Sequence, residues 1–174
     1  MRICKSAVFA IVLLALDALP AAAQQATAVE VTPYVAIGSA GASPFGAAVT
    51  FPVTSTLSIE TDVAYRRAEG DIRALSSSTS LLYALPRVGH STPYVAAGIG
   101  LTQYGAPVFS STGGRPIGTQ PSVAFTVNAG GGLKMPMNDA LDLRTDARWF
   151  KSFGLQGSEQ FRVAQGISFD IGRR

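Results

Sequence analysis

The chain has 174 residues, enough for one domain, with 47% hydrophobic and only 14% charged residues, 18 glycines and a formal net charge of +3. One histidine and one cysteine argue against a transition-metal centre and a disulfide framework, and no cofactor is expected. No run of Lys and Arg with interleaved aromatics is present, which argues against nucleic acid as a partner.

Residues 1–23 read as an export signal. Arg2 and Lys5 form a positive n-region, and Ala7 to Leu16 is an apolar stretch too short to span a bilayer. Ala21-Ala22-Ala23 offers a small-residue cleavage site, with Gln24 as the new N-terminus. Cys4 lies ahead of the apolar stretch and leaves with the signal, so the mature fold is expected to need no disulfide. The mature domain is then 24–174.

From Val29 onward the pattern predicts eight strands, because apolar residues recur with a period of two. The first is Val29–Gly38 and the second Phe45–Val53, followed by a short turn and a third over Thr56–Arg66. A polar link, Arg67–Arg73, leads to the fourth, Ala74–Leu85, in which Ser76–Ser80 is polar on both faces. Pro86–Ser91 is a turn, Thr92–Tyr104 the fifth strand, and Gly105–Pro121 the longest unpatterned stretch. Val123–Phe150 reads as two long strands joined at Pro136–Asp139. Ser152–Gln160 is expected to be a loop, and Phe161–Ile171 the eighth strand. Tight connections after strands two, four and six, and longer polar ones after three, five and seven, are the pattern of transmembrane barrels, although the connection after strand one, Ser39–Pro44, is short. Strands of roughly 9–14 residues can cross a hydrocarbon core when tilted.

One parity of these strands carries Glu60, Asp62, Arg66, Asp142, Arg144, Asp146, Arg148 and Arg162, with Glu30, Lys134 and Asp170; the other is nearly free of charge. A soluble lipocalin-type barrel would place the apolar parity inside and bind an apolar ligand there. Three features favour the reverse. The charges are of both signs and suit a paired lumen network. Small Gly and Ala residues share their parity in strands one and five, suiting a narrow interior. A charge on the apolar parity would cost about 2–4 kcal/mol at the bilayer midplane, which explains its exclusion. Aromatics on the apolar parity fall in two bands: Phe45, Tyr65, Trp149 and Phe161 at the loop end, and Phe51, Tyr83 and Phe169 at the turn end. These are the expected interfacial girdles.

Thr92-Pro93-Tyr94-Val95-Ala96-Ala97-Gly98-Ile99-Gly100 resembles the PYVGAGVG-type strand of small outer-membrane β-barrel proteins. Gly130-Gly131-Gly132-Leu133, with Leu143-Arg144-Thr145-Asp146-Ala147-Arg148-Trp149-Phe150, resembles their GGG…LRxDYRY hairpin. This is the family of the OmpA membrane domain, OmpX and the opacity-type proteins. The resemblance spans the mature chain and implies an all-β, eight-stranded antiparallel up-and-down transmembrane barrel in the outer membrane of a Gram-negative envelope. Its motifs are structural and carry no catalytic residues. The chain departs from the family at its end, where Phe169 is followed by Asp170-Ile171-Gly172-Arg173-Arg174 in place of a terminal aromatic.

Candidate chemistry is sparse. His90 and Ser91 are adjacent in a turn with no carboxylate placed to orient the ring, a poor start for a triad. Asp142, Asp146, Glu60 and Asp62 sit beside arginines, which favours salt bridges over acid–base work. Gly130–Gly132 lies within a strand and no helix follows, so it is not a phosphate loop. Gly113-Gly114-Arg115, in the long loop, is the candidate contact segment for a partner or lipopolysaccharide phosphate. The reading is therefore a non-enzymatic outer-membrane barrel with a structural or surface-interaction role and no open pore, since eight strands enclose only enough room for side chains. The alternatives are the secreted lipocalin-like barrel and a lipid-modifying outer-membrane enzyme. Expected partners are outer-membrane lipid, lipopolysaccharide, the outer-membrane assembly machinery and an extracellular partner at the loops, with the chain a monomer.

Overall fold

A computed structural model describes residues 29–39, 44–67, 73–109, 116–154 and 158–171. The export signal at 1–23 and the contact segment Gly113, Gly114 and Arg115 lie outside the described residues. The strands are β1 (Val29–Gly38), β2 (Phe45–Pro52), β3 (Leu57–Arg67), β4 (Arg73–Ala84), β5 (Thr92–Phe109), β6 (Pro116–Pro136), β7 (Leu141–Phe153) and β8 (Ser158–Ile171).

Each strand pairs antiparallel with its sequence neighbour, and β8 returns to β1, closing the barrel. Closure leaves no edge strand, so backbone N–H and C=O groups are satisfied within the wall. The β1–β8 ladder runs from Val29↔Ile171 to Gly38↔Arg162 and skips Thr32 and Pro33, where proline has no N–H to give. Thr32 and Ser168 bridge that gap with a hydroxyl–hydroxyl bond of 2.8 Å.

Three tight turns and both ends of the described barrel lie at one rim, the turn end. At Val53–Thr56, Val53 and Thr54 donate to the Leu57 carbonyl, and the Thr54 hydroxyl accepts from the Leu57 amide at 2.9 Å. Asn138 closes the β6–β7 turn in the same manner, its side-chain oxygen accepting from the Ala140 amide at 2.9 Å. Between β4 and β5, Val88 and Ser91 bridge around Gly89, whose φ of +61° favours glycine. The C-terminal ends of β1, β3, β5 and β7 lie at the opposite rim, the loop end.

Parts of two expected loops are instead paired strand. Residues 105–109 and 116–121 continue the β5–β6 ladder through Gly105↔Pro121 and Val108↔Gly118, with a register shift at Val108/Phe109. Ser152↔Ser158 likewise extends β7–β8 into the stretch expected to be a loop over Ser152–Gln160. Side-chain alternation marks a strand only where its two faces meet different media. Beyond the barrel wall both faces meet water, so the alternation lapses while backbone pairing continues.

The charged parity faces inward. Glu60 and Arg148 are 1% exposed, whereas Val35 and Ile37 on the outer wall are 68% exposed. This polarity is the reverse of a lipocalin-type calyx, in which the apolar parity would line the interior. The double-polar run in β4 resolves the same way: Ser78 and Ser80 are buried inside, and Thr79 points out.

Candidate functional site

The interior is built by two strands facing each other across the barrel. On β7 the inward positions follow at i, i+2, so Arg144, Asp146 and Arg148 stack along one line with the carboxylate between two guanidiniums. On β3, diametrically opposite in an eight-stranded ring, the same parity presents Glu60 and Asp62. The lumen is narrow enough for these side chains to meet at its centre.

Glu60 accepts from both arginines: Arg144 Nη1 reaches Oε2, and Arg148 Nη2 lies 2.6 Å from Oε1. Arg148 Nε lies 2.9 and 3.0 Å from the two Asp146 oxygens, and Arg144 Nη2 is 3.4 Å from Oδ2. The Tyr94 hydroxyl donates to Asp146 at 2.7 Å and accepts from Arg144 Nε at 2.8 Å, with the Arg144 guanidinium 4.9 Å over its ring. Thr50 donates to Glu60 at 3.1 Å, and Arg148 Nη1 reaches the Ser80 hydroxyl at 3.3 Å, which donates onward to Asn128 at 3.1 Å. Every charged head therefore has partners of opposite sign, the condition under which buried charges are tolerated.

A second cluster sits toward the loop end. Arg162 Nη1 is 3.3 Å from Asp62 Oδ1 and donates to the Tyr34 hydroxyl at 2.9 Å, and that hydroxyl donates to Asp62 Oδ2. The Arg162 guanidinium lies between two rings, 4.9 Å from the Tyr34 centroid and 4.7 Å from that of Phe150. Gly46 makes room for the Tyr34 hydroxyl, and Gly132 for that of Tyr94; a Cβ at either would collide with it. Toward the turn end Glu30 pairs with Lys134.

The structure thus brings Glu60, Asp62, Arg144, Asp146, Arg148 and Arg162 into adjoining clusters. It sets Arg66 and Asp142 apart. Arg66 lies near the loop end, its guanidinium 5.8 Å over Tyr104, beside a cavity of about 50 Å³ that Ser76, Phe150 and Arg162 also line. Asp142 lines a turn-end vestibule of about 300 Å³ with Glu30, Lys134, Arg87 and Asp170. Between the two mouths, the cavity beside Glu60, Arg144 and Arg148 is about 20 Å³, little more than one water.

Sequence reasoning missed the tyrosines and hydroxyls that complete the clusters: Tyr34, Tyr94, Thr50 and Ser80. Parity was the available signal, because a tyrosine facing a charged interior needs a partner for its hydroxyl. The aromatic bands are outward at both rims. Phe45 and Tyr65 pack at 5.5 Å, Trp149 pairs in register with Phe161, and Phe51, Tyr83 and Phe169 ring the turn end. Phe125 and Phe153, 6.2 Å apart, extend the loop-end band and were not among the expected girdle residues. His90 is exposed in the β4–β5 turn, at the opposite rim from the long β5–β6 hairpin.

No protein-family model and no curated protein matches this sequence. Solved structures do. The N-terminal β-barrel domain of Pseudomonas aeruginosa OprF superposes with a TM-score of 0.60 at 18% identity, covering 84% of this chain and 98% of that one. Neisserial surface protein A gives 0.63 at 12% identity, covering 83% and 95%. The outer-membrane enzyme PagL gives 0.50 at 20% identity, covering 82% and 99%. At these identities the likeness is one of fold, and it agrees with the closed antiparallel ring. The chain has the fold of the small eight-stranded outer-membrane β-barrels.

Proposed function

We propose that the protein resides in the outer membrane as a closed, non-enzymatic barrel with a structural or surface-interaction role, its β5–β6 hairpin projecting as the contact surface. The observation that carries this reading is the polarity of the wall: uncharged and mostly apolar between two aromatic bands, with the charges neutralised inside. Phe161 and Phe169 mark the bands on β8, eight residues apart, about 26 Å along the strand at ~3.3 Å per residue. With a tilt of about 40° that span is roughly 20 Å high, close to the apolar band of outer-membrane barrels. The turn end is the periplasmic side and the loop end the outside, where the hairpin meets lipopolysaccharide and any extracellular partner.

The absence of catalysis is part of the proposal, because PagL, an outer-membrane enzyme, has the same fold. It is supported by the exposed turn position of His90 and by the engagement of the central carboxylates in ion pairs. The test is electrophoresis of the sedimented outer-membrane fraction, boiled and unboiled. A pelleting protein whose mobility shifts on boiling is expected; soluble protein without a shift overturns the reading.

A further inference from the structure

Among the described residues, the lipid-facing wall carries one primary amide where hydrocarbon is deepest. Gln165 points outward on β8, four residues from Phe161 and four from Phe169, so it sits about 13 Å along the strand from either aromatic band. A glutamine side chain cannot reach a headgroup over that distance. Its register partners on the same face are Thr145 on β7 and Val35 on β1. Among the described residues, none forms a hydrogen bond with the Gln165 amide. Leaving an amide unsatisfied in hydrocarbon costs several kcal/mol, and water is not there to help.

The wall around it is shaped for contact. Gly131 and Ala147 pair in register beside Val163, a low patch one register step from Thr145 and Gln165. Val35, Ile37, Thr145, Val163 and Gln165 line a shallow depression of about 510 Å³ on the outer face. Small residues let two membrane walls approach closely, and polar side chains between them act as the directional contact.

Resting on the reading that this face meets lipid, we infer that the β7–β8–β1 wall is the interface for a second copy of this chain, related by a two-fold axis passing near Gln165. A carboxamide carries a donor and an acceptor in one plane and so complements its own copy, as an isologous interface requires. Gln165 of each copy donates to and accepts from Gln165 of the partner subunit, and Thr145 stands beside the pair. The expectation of a monomer then gives way to a dimer within the membrane.

The experiment is energy transfer between donor- and acceptor-labelled copies in phosphatidylcholine vesicles, over a series of protein-to-lipid ratios. The dye is carried on Met137→Cys, exposed at the turn end, in a chain lacking Cys4. The unaltered wall should show transfer above random proximity, and Gln165→Leu should raise the dissociation constant at least tenfold. Ile99→Leu, on the β5 wall, should leave it unchanged. Transfer at the random level, or equal dissociation with Gln165→Leu, overturns the inference. Each variant is also run boiled and unboiled: vesicle-bound, heat-modifiable protein without transfer defeats the dimer alone, whereas protein that neither binds nor shifts defeats the membrane reading itself.

Discussion

Glu60 is the residue on which the interior depends most. It receives one guanidinium on each carboxylate oxygen, Arg144 on Oε2 and Arg148 on Oε1, and its own side chain is 1% exposed. Glu60→Ala leaves two guanidiniums buried short of a counter-charge, a class of change that costs about 3–5 kcal/mol. Urea unfolding of vesicle-bound protein should show that loss, with Glu60→Gln, which keeps the volume and one acceptor, falling between. Arg66→Ala is the contrast. Its cation–π contact with Tyr104 lies near a wet mouth and is worth about 0.5–1 kcal/mol, so the same assay should barely register it. An equal loss for Glu60→Ala and Arg66→Ala would contradict the placement of the charge clusters. Parity alone put both residues in one lumen network; height along the barrel, which separates them, comes from tilt and register.

At the scale of the strand, β5 passes through two environments. Ile99 pairs with Thr79 and Val127 at mid-wall, and Val108 lies beyond the aromatic band in the projecting part of the hairpin. Ile99→Arg should cost about 2–4 kcal/mol and suppress the heat-modifiable form, while Val108→Arg should leave it intact. If both arginines are tolerated alike, the wall does not face hydrocarbon. Excision of residues 107–118 should also leave a heat-modifiable barrel, because Gly105↔Pro121 still closes the ladder within the wall and three residues remain to connect them. The sequence underestimates this hairpin for a definite reason. From Thr92 to Tyr104 each face meets its own medium and the residues alternate; beyond Tyr104 they need not, and Ala106-Pro107-Val108 reads as coil although its backbone is paired.

For the molecule as a whole, the question is whether the barrel conducts. Its two mouths are separated by the layer of Glu60, Arg144, Asp146 and Arg148, where the open volume is about 20 Å³. Ions crossing it would have to part these pairs, so steady porin-type conductance is not expected in planar bilayers at neutral pH. A sustained open level from the unaltered protein would show that the layer opens as a unit.

The sequence by itself determined the strand number, most strand boundaries, the inward and outward parity of each residue, and the two aromatic bands. All of these follow from local alternation between unlike media, which a strand writes directly into its residues. β1, Val29–Gly38, is legible to the residue on that basis. What only the tertiary structure decided is which inward residues meet. Glu60 and Arg148 are 88 positions apart, and their contact depends on β3 and β7 standing opposite each other in a closed ring with one particular register. Closure also decided which charges the Tyr34 and Tyr94 hydroxyls meet. None of these placements has a local signature, because each depends on strand tilt and barrel closure, which no single strand encodes.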